Sequence, residues 1–134
     1  MKATYSHNGK CFIYKVDGQQ VRTSTRVAPF ECVAVQLVDG KFSRALALGK
    51  AKTCEYEVSA RIAYKRRMEI NLRYFKGEIT YREYFHAVGF SHAMTREFME
   101  EERRERKEEN IAALERRLED YTHLEFKVIR FEQE

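Results

Sequence analysis

One proline, six glycines and no tryptophan in 134 residues leave this chain few places where the backbone is forced to break. It has no apolar run approaching the roughly 18 residues of a membrane-spanning helix. Its opening, Met1 to Phe12, shows neither an apolar signal core nor a small-residue cleavage site. These absences lead us to expect a cytoplasmic chain with no membrane partner. Cysteine is also scarce: Cys11, Cys32 and Cys54 lie 21 and 22 residues apart, without the close pairs of a structural zinc site or a thioredoxin motif. Buried reduced thiols are the expectation. No P-loop, dinucleotide-binding glycine pattern, nucleophile elbow or HExxH is found. An enzyme is therefore the least supported class, and we expect neither cofactor nor metal.

What is present is a folding composition. Hydrophobic residues make up 43% and aromatics 13%, enough for one domain of ordinary size to bury a core without staples. The net charge of +4 conceals an asymmetry. Residues 1–75 carry 14 Lys and Arg against 6 Asp and Glu, whereas residues 76–134 carry 11 against 15. A basic half can attract nucleic acid or an acidic protein surface.

The first half is punctuated by Asn8-Gly9, Asp17-Gly18 and Asp39-Gly40, dipeptides that supply the positive φ angles of tight hairpin turns. CFIYKV and QQVRTST flank the second of them and ECVAVQLV and KFSRALAL the third, predicting an N-terminal antiparallel β-meander over 3–48, with Pro29 in a connection. Residues 50–75 place Cys54, Val58 and Ile62, then Met68, Leu72 and Phe75, at helical intervals. The same stretch also alternates, so two strands joined at KRR compete with one helix. Thr80 and Glu83 form the capping box of a short helix over 80–88, which Gly89 ends. A long charged helix is predicted over 91–121 and a final strand over 123–131 that returns to the sheet. The fold class is α+β, in a single domain.

Glu100 to Asn110, EEERRERKEEN, holds no apolar side chain. Pairs such as Glu100/Arg104 and Glu102/Arg106 each contribute about 0.2–0.5 kcal/mol in an isolated helix, and Glu101/Glu105 and Glu105/Glu109 oppose them. Packing at the two ends must therefore hold the segment, with Met94 and Phe98 at one and Ile111, Leu114, Leu118 and Tyr121 at the other. The seam Ile111, Leu114, Leu118 has coiled-coil spacing for about one and a half heptads, which leaves a homodimer open. Glu101, Glu105 and Glu109 make an acidic strip suited to a basic partner.

A second partner-facing signal is basic: Arg61, Lys65, Arg66, Arg67 and Arg73, interleaved with Tyr64 and Tyr74, as in proteins that neutralise phosphates and stack bases. Solvated charges beside core tyrosines explain the same letters. The segment ITYREYFHAVGF gathers Tyr81, Tyr84, Phe85 and Phe90; most should be core, and any left exposed would suit protein binding. His7, His86, His92 and His123 are scattered and are read as ordinary histidines. Cys54, near Lys50 and Lys52 at a helix start, is the one cysteine whose pKa could fall.

These features favour a non-enzymatic binding protein, an inhibitor or regulator acting on a protein or nucleoprotein complex, over a direct DNA or RNA binder. The layout is similar to that of small phage or mobile-element proteins that block host machinery by binding it, a likeness of general type rather than of motif.

Overall fold

The computed structural model describes residues 1–134. Five strands come first: β1 (Ala3–His7), β2 (Phe12–Val16), β3 (Gln19–Ser24), β4 (Cys32–Val38) and β5 (Lys41–Gly49). Three helices follow, α1 (Ala51–Phe75), α2 (Tyr81–Val88) and α3 (Arg96–Tyr121), and then strand β6 (Leu124–Gln133). The fold is α+β. The chain divides into two compact units, one made of Met1–Arg61 with His123–Glu134 and the other of Ile62–Thr122.

In the sheet unit the turn dipeptides act as their chemistry predicts. Asp17 and Gly18 have φ of 49° and 79°, and Asp39 and Gly40 have 52° and 79°, the paired positive values of a type I′ hairpin. At the first turn the Asn8 side-chain oxygen accepts from the backbone N–H groups of Lys10 and Cys11, both at 2.9 Å. The strand order is β3-β2-β1-β6-β4-β5. Strand β6 runs antiparallel to β4 from Leu124 to Arg130 and parallel to β1 from Phe131 to Gln133. The five N-terminal strands therefore do not pair in one unbroken series, because the last strand of the chain separates β1 from β4.

Strand β4 is buried on both faces, which explains why its CVAV run does not alternate in polarity. Val33, Val35 and Leu37 join Ala3, Tyr14, Val16 and Phe131 in one cluster. Cys32 and Ala34 face the other way, against Cys54 with Val58 and Val128 around them. The buried ring of Tyr14 ends in a hydroxyl that accepts the Phe30 N–H at 2.9 Å and fixes the loop carrying Pro29. Helix α1 begins where Glu31 accepts the Ala51 N–H at 3.4 Å, a carboxylate at the positive end of the helix dipole.

Residues 51–75 are one helix, not two strands. No glycine or proline interrupts them, and pairs such as Arg61 with Glu57 at 3.2 Å fall at i, i+4. The helical unit packs Ile70, Tyr74 and Phe75 of α1 with Ile79, Tyr84 and Val88 and with Met99 of α3. The capping box at α2 forms as expected, with Thr80 accepting the Glu83 N–H and Glu83 accepting the Thr80 N–H.

Two expectations for α3 are corrected. The helix starts at Arg96, capped by Thr95, not at Ser91. Residues before it are held out of the helix because both polar groups of the Met94 backbone are engaged elsewhere: its N–H donates to the Tyr84 hydroxyl at 3.0 Å and its C=O accepts from Tyr81 at 2.7 Å. The anchor at this end is consequently Met99, which is buried, while Met94 and Phe98 are exposed. The charged run is also not one straight helix. Arg106 has φ −133° and ψ 29°, a kink without glycine or proline. Glu102 accepts from Arg106 at 3.0 Å and from Asn110 at 3.1 Å. Eight residues of straight helix rise about 12 Å, too far for Glu102 to meet Asn110, so their hydrogen bond belongs to the bent form.

Candidate binding surfaces

The basic residues of α1 do not form one strip. Turning ~100° per residue, the helix puts Arg61 and Lys65 on one side, Arg66 and Arg73 on a second and Arg67 on a third. Most are also neutralised locally. Arg61 pairs with Glu57 at 3.2 Å, Lys65 with Glu69 at 3.9 Å and Arg73 with Glu78 at 3.6 Å. Arg67 lies over the Tyr64 ring at 5.9 Å. Arg66 is exposed. Tyr74, interleaved with these residues in the sequence, is fully buried and presents no face for stacking.

Along α3, Glu101, Glu105 and Glu109 are exposed, and the kink at Arg106 falls between the second and the third. Of the seam residues, Ile111 and Leu114 pack against the core of their own unit, and Leu118 is half-buried. Lys76 at the end of α1 reaches Glu115 at 3.6 Å, a further tie within the unit on this part of α3. Glu102, Arg106 and Asn110 border a cavity of about 420 Å³ with Asn71, Phe75 and Leu114. The polar run thus rests its inner edge against α1 while its outer edge meets water.

The aromatic segment separates by role. Tyr84 is buried and Tyr81 half-buried, and their hydroxyls hold Met94 as described. Phe85 is half-buried, with its ring centroid 6.3 Å from that of Phe90 in an edge-on arrangement. Phe90 is 87% exposed, and Met94 and Phe98 are 48% and 43% exposed. Three large apolar side chains in nine consecutive residues are therefore left in water. Tyr56 and Ile62 on α1 are exposed as well; helical spacing grouped Ile62 with the buried Cys54 and with Val58, and the structure corrects that placement.

Cys54 is not an activated thiol. It is fully buried, and its Sγ donates to the Cys32 carbonyl oxygen at 3.4 Å. Burial, reinforced by the neighbouring Cys32, pushes its pKa up, and Cys32 is raised chiefly by burial too. The charge of a thiolate would sit among Ala34, Ala47 and Val58, an apolar setting that favours the neutral thiol. Among the histidines, His123 Nδ1 lies 2.9 Å from Asp39 beside the β4–β5 turn, and His7 Nδ1 accepts the Gly9 N–H at 3.0 Å. No three His, Cys, Asp or Glu side chains converge as metal ligands would, and no helix is long and apolar enough to cross a membrane. Comparison with protein-family models, curated proteins and solved structures finds no significant match for the chain.

Proposed function

We propose that the chain is a non-enzymatic binding protein, an inhibitor or regulator that docks on a protein or a nucleoprotein complex through the segment joining α2 to α3. The observation that carries this reading is the exposure of Phe90 together with Met94 and Phe98. Scattered apolar residues on a surface are ordinary, but three large ones left exposed within nine residues of one segment are a concentration that burial against a partner would relieve. Burying one such side chain contributes about 1.5–3 kcal/mol, which an aromatic-accepting pocket on a partner would recover. Glu97 and Glu101 follow in the first turns of α3 and are exposed, so the pocket should have a basic rim. Glu105 and Glu109 extend the acidic character along the helix.

A direct nucleic-acid interaction through Arg61, Lys65, Arg66, Arg67 and Arg73 is the competing use of the surface. The dispersal of those residues around α1 and their carboxylate partners count against it. Affinity capture of the tagged protein from a bacterial lysate, with and without nuclease, separates the two. A discrete protein retained after nuclease and lost with Phe90→Asp supports docking through the α2–α3 segment. Partners that disappear with nuclease, or that Phe90→Asp leaves in place, contradict it.

A further inference from the structure

Tyr74 is fully buried, yet its hydroxyl has no hydrogen-bond partner. An orphaned hydroxyl costs about 1–3 kcal/mol of desolvation, so its position calls for a group that completes it. The residue borders a cleft of about 340 Å³ between the Gly77–Thr80 turn and the first turns of α3, where Arg96, Glu100 and Arg103 face it. Tyr74 lines that cleft together with Arg103, whose guanidinium lies over its ring.

The charges in that wall are unevenly spent. Glu100 is held by Arg96 at 2.9 Å, Glu78 by Arg73 at 3.6 Å, and Glu83 by the Thr80 cap. Arg103 has no carboxylate partner; its guanidinium lies 4.5 Å over the Tyr74 ring. A second, more open recess shares Gly77, Glu100 and Arg103 with the cleft and adds Arg104 and Lys107. A Cβ at Gly77, which lines both, would meet nothing within 4 Å. One buried neutral donor therefore stands beside a guanidinium without a carboxylate partner, and the adjoining recess adds two further cations.

We propose that this cleft binds a phosphate monoester group, with the Tyr74 hydroxyl and the Arg103 guanidinium as donors and with Arg104 and Lys107 at its mouth. A dianionic phosphoryl group offers several acceptor oxygens to donors arriving from different directions, whereas a carboxylate offers two oxygens and half the charge.

The test is titration of the whole chain with inorganic phosphate, and separately with acetate at equal ionic strength, followed by amide NMR shifts of Gly77, Tyr74 and Arg103. Saturable shifts with phosphate, at least tenfold tighter than with acetate, are expected. Tyr74→Phe should weaken phosphate binding about tenfold, the factor that a single hydrogen bond of about 1.4 kcal/mol represents, without lowering the melting temperature. Arg103→Gln should abolish saturation, and Lys127→Gln, on β6, should change nothing. Shifts that grow linearly with phosphate, acetate binding as tightly as phosphate, or equal affinity in Tyr74→Phe would each overturn the proposal and leave the hydroxyl to an ordered water.

Discussion

Tyr84 shows how a single side chain sets both packing and chain direction. Its ring fills the core of the helical unit, and its hydroxyl accepts the Met94 N–H. Tyr84→Phe keeps the ring and orphans that amide, so we expect a loss of about 1 kcal/mol in urea unfolding. Tyr74→Phe is the contrast, because its hydroxyl has no partner in the fold and its loss should leave stability unchanged or raised. The buried thiols carry a pH prediction. Cys32 and Cys54 both have pKa values raised above the ordinary 9.0, with burial the leading cause. Below pH 9 the thiols are protonated in folded and unfolded chains alike and their contribution is intact. Above it, the unfolded chain releases protons that the folded one retains, so stability falls as pH rises. Tyr74 and Tyr84, raised above 10.0 mainly by burial, act in the same sense at higher pH. The urea midpoint should drop between pH 8 and pH 10, and Cys54→Ala should make that drop shallower. A midpoint independent of pH over this range would contradict the assignment.

At the scale of elements, much of the fold was legible because the signals are local. Asp17-Gly18 and Asp39-Gly40 dictate tight hairpins, and Thr80 with Glu83 dictates a helix start. The place of β6 was not legible. Alternation at Leu124, Phe126 and Val128 marks a strand, but nothing local says that it inserts between β1 and β4. The kink at Arg106 was hidden for a related reason. Every residue from Glu100 to Lys107 favours a helix, and the bend coincides with a bridge from Glu102 to Asn110 that no rule of three or four covers. Ser91 to Thr95 misled in the same way, since the tyrosines that hold Met94 lie 10 and 13 residues upstream. Glu102, with only 17% of its side chain exposed, is the residue on which the bend turns. Glu102→Ala should cost about 1 kcal/mol, whereas Glu101→Ala, on the outer face, should stay within about 0.5 kcal/mol. Equal urea midpoints for the two variants would remove Glu102 from that role.

At the scale of the whole molecule, the surplus of positive charge in residues 1–75 is met only in part by carboxylates beyond that range, Glu78 on Arg73, Glu132 on Lys2 and Glu134 on Lys15. The sequence marked the aromatic segment as a place to look but could not say which rings are spent internally. Tyr84 is, and Phe90 is not. That distinction rests on a loop whose course is set by hydrogen bonds to a single residue, Met94. It also weakens the case for a dimer through Ile111 and Leu114, which already pack within their own unit. The measurement that tests the account most directly is the affinity of the captured partner for the wild-type chain, Phe90→Asp and the double variant Arg66→Glu/Arg67→Glu, at low and high salt. We predict that Phe90→Asp weakens binding by about 30-fold, as loss of a hot spot does, that the double variant binds nearly as wild type, and that affinity falls little with salt. An unchanged Phe90→Asp affinity, with a steep salt dependence and loss in the double variant, would contradict the account and assign the function to nucleic acid.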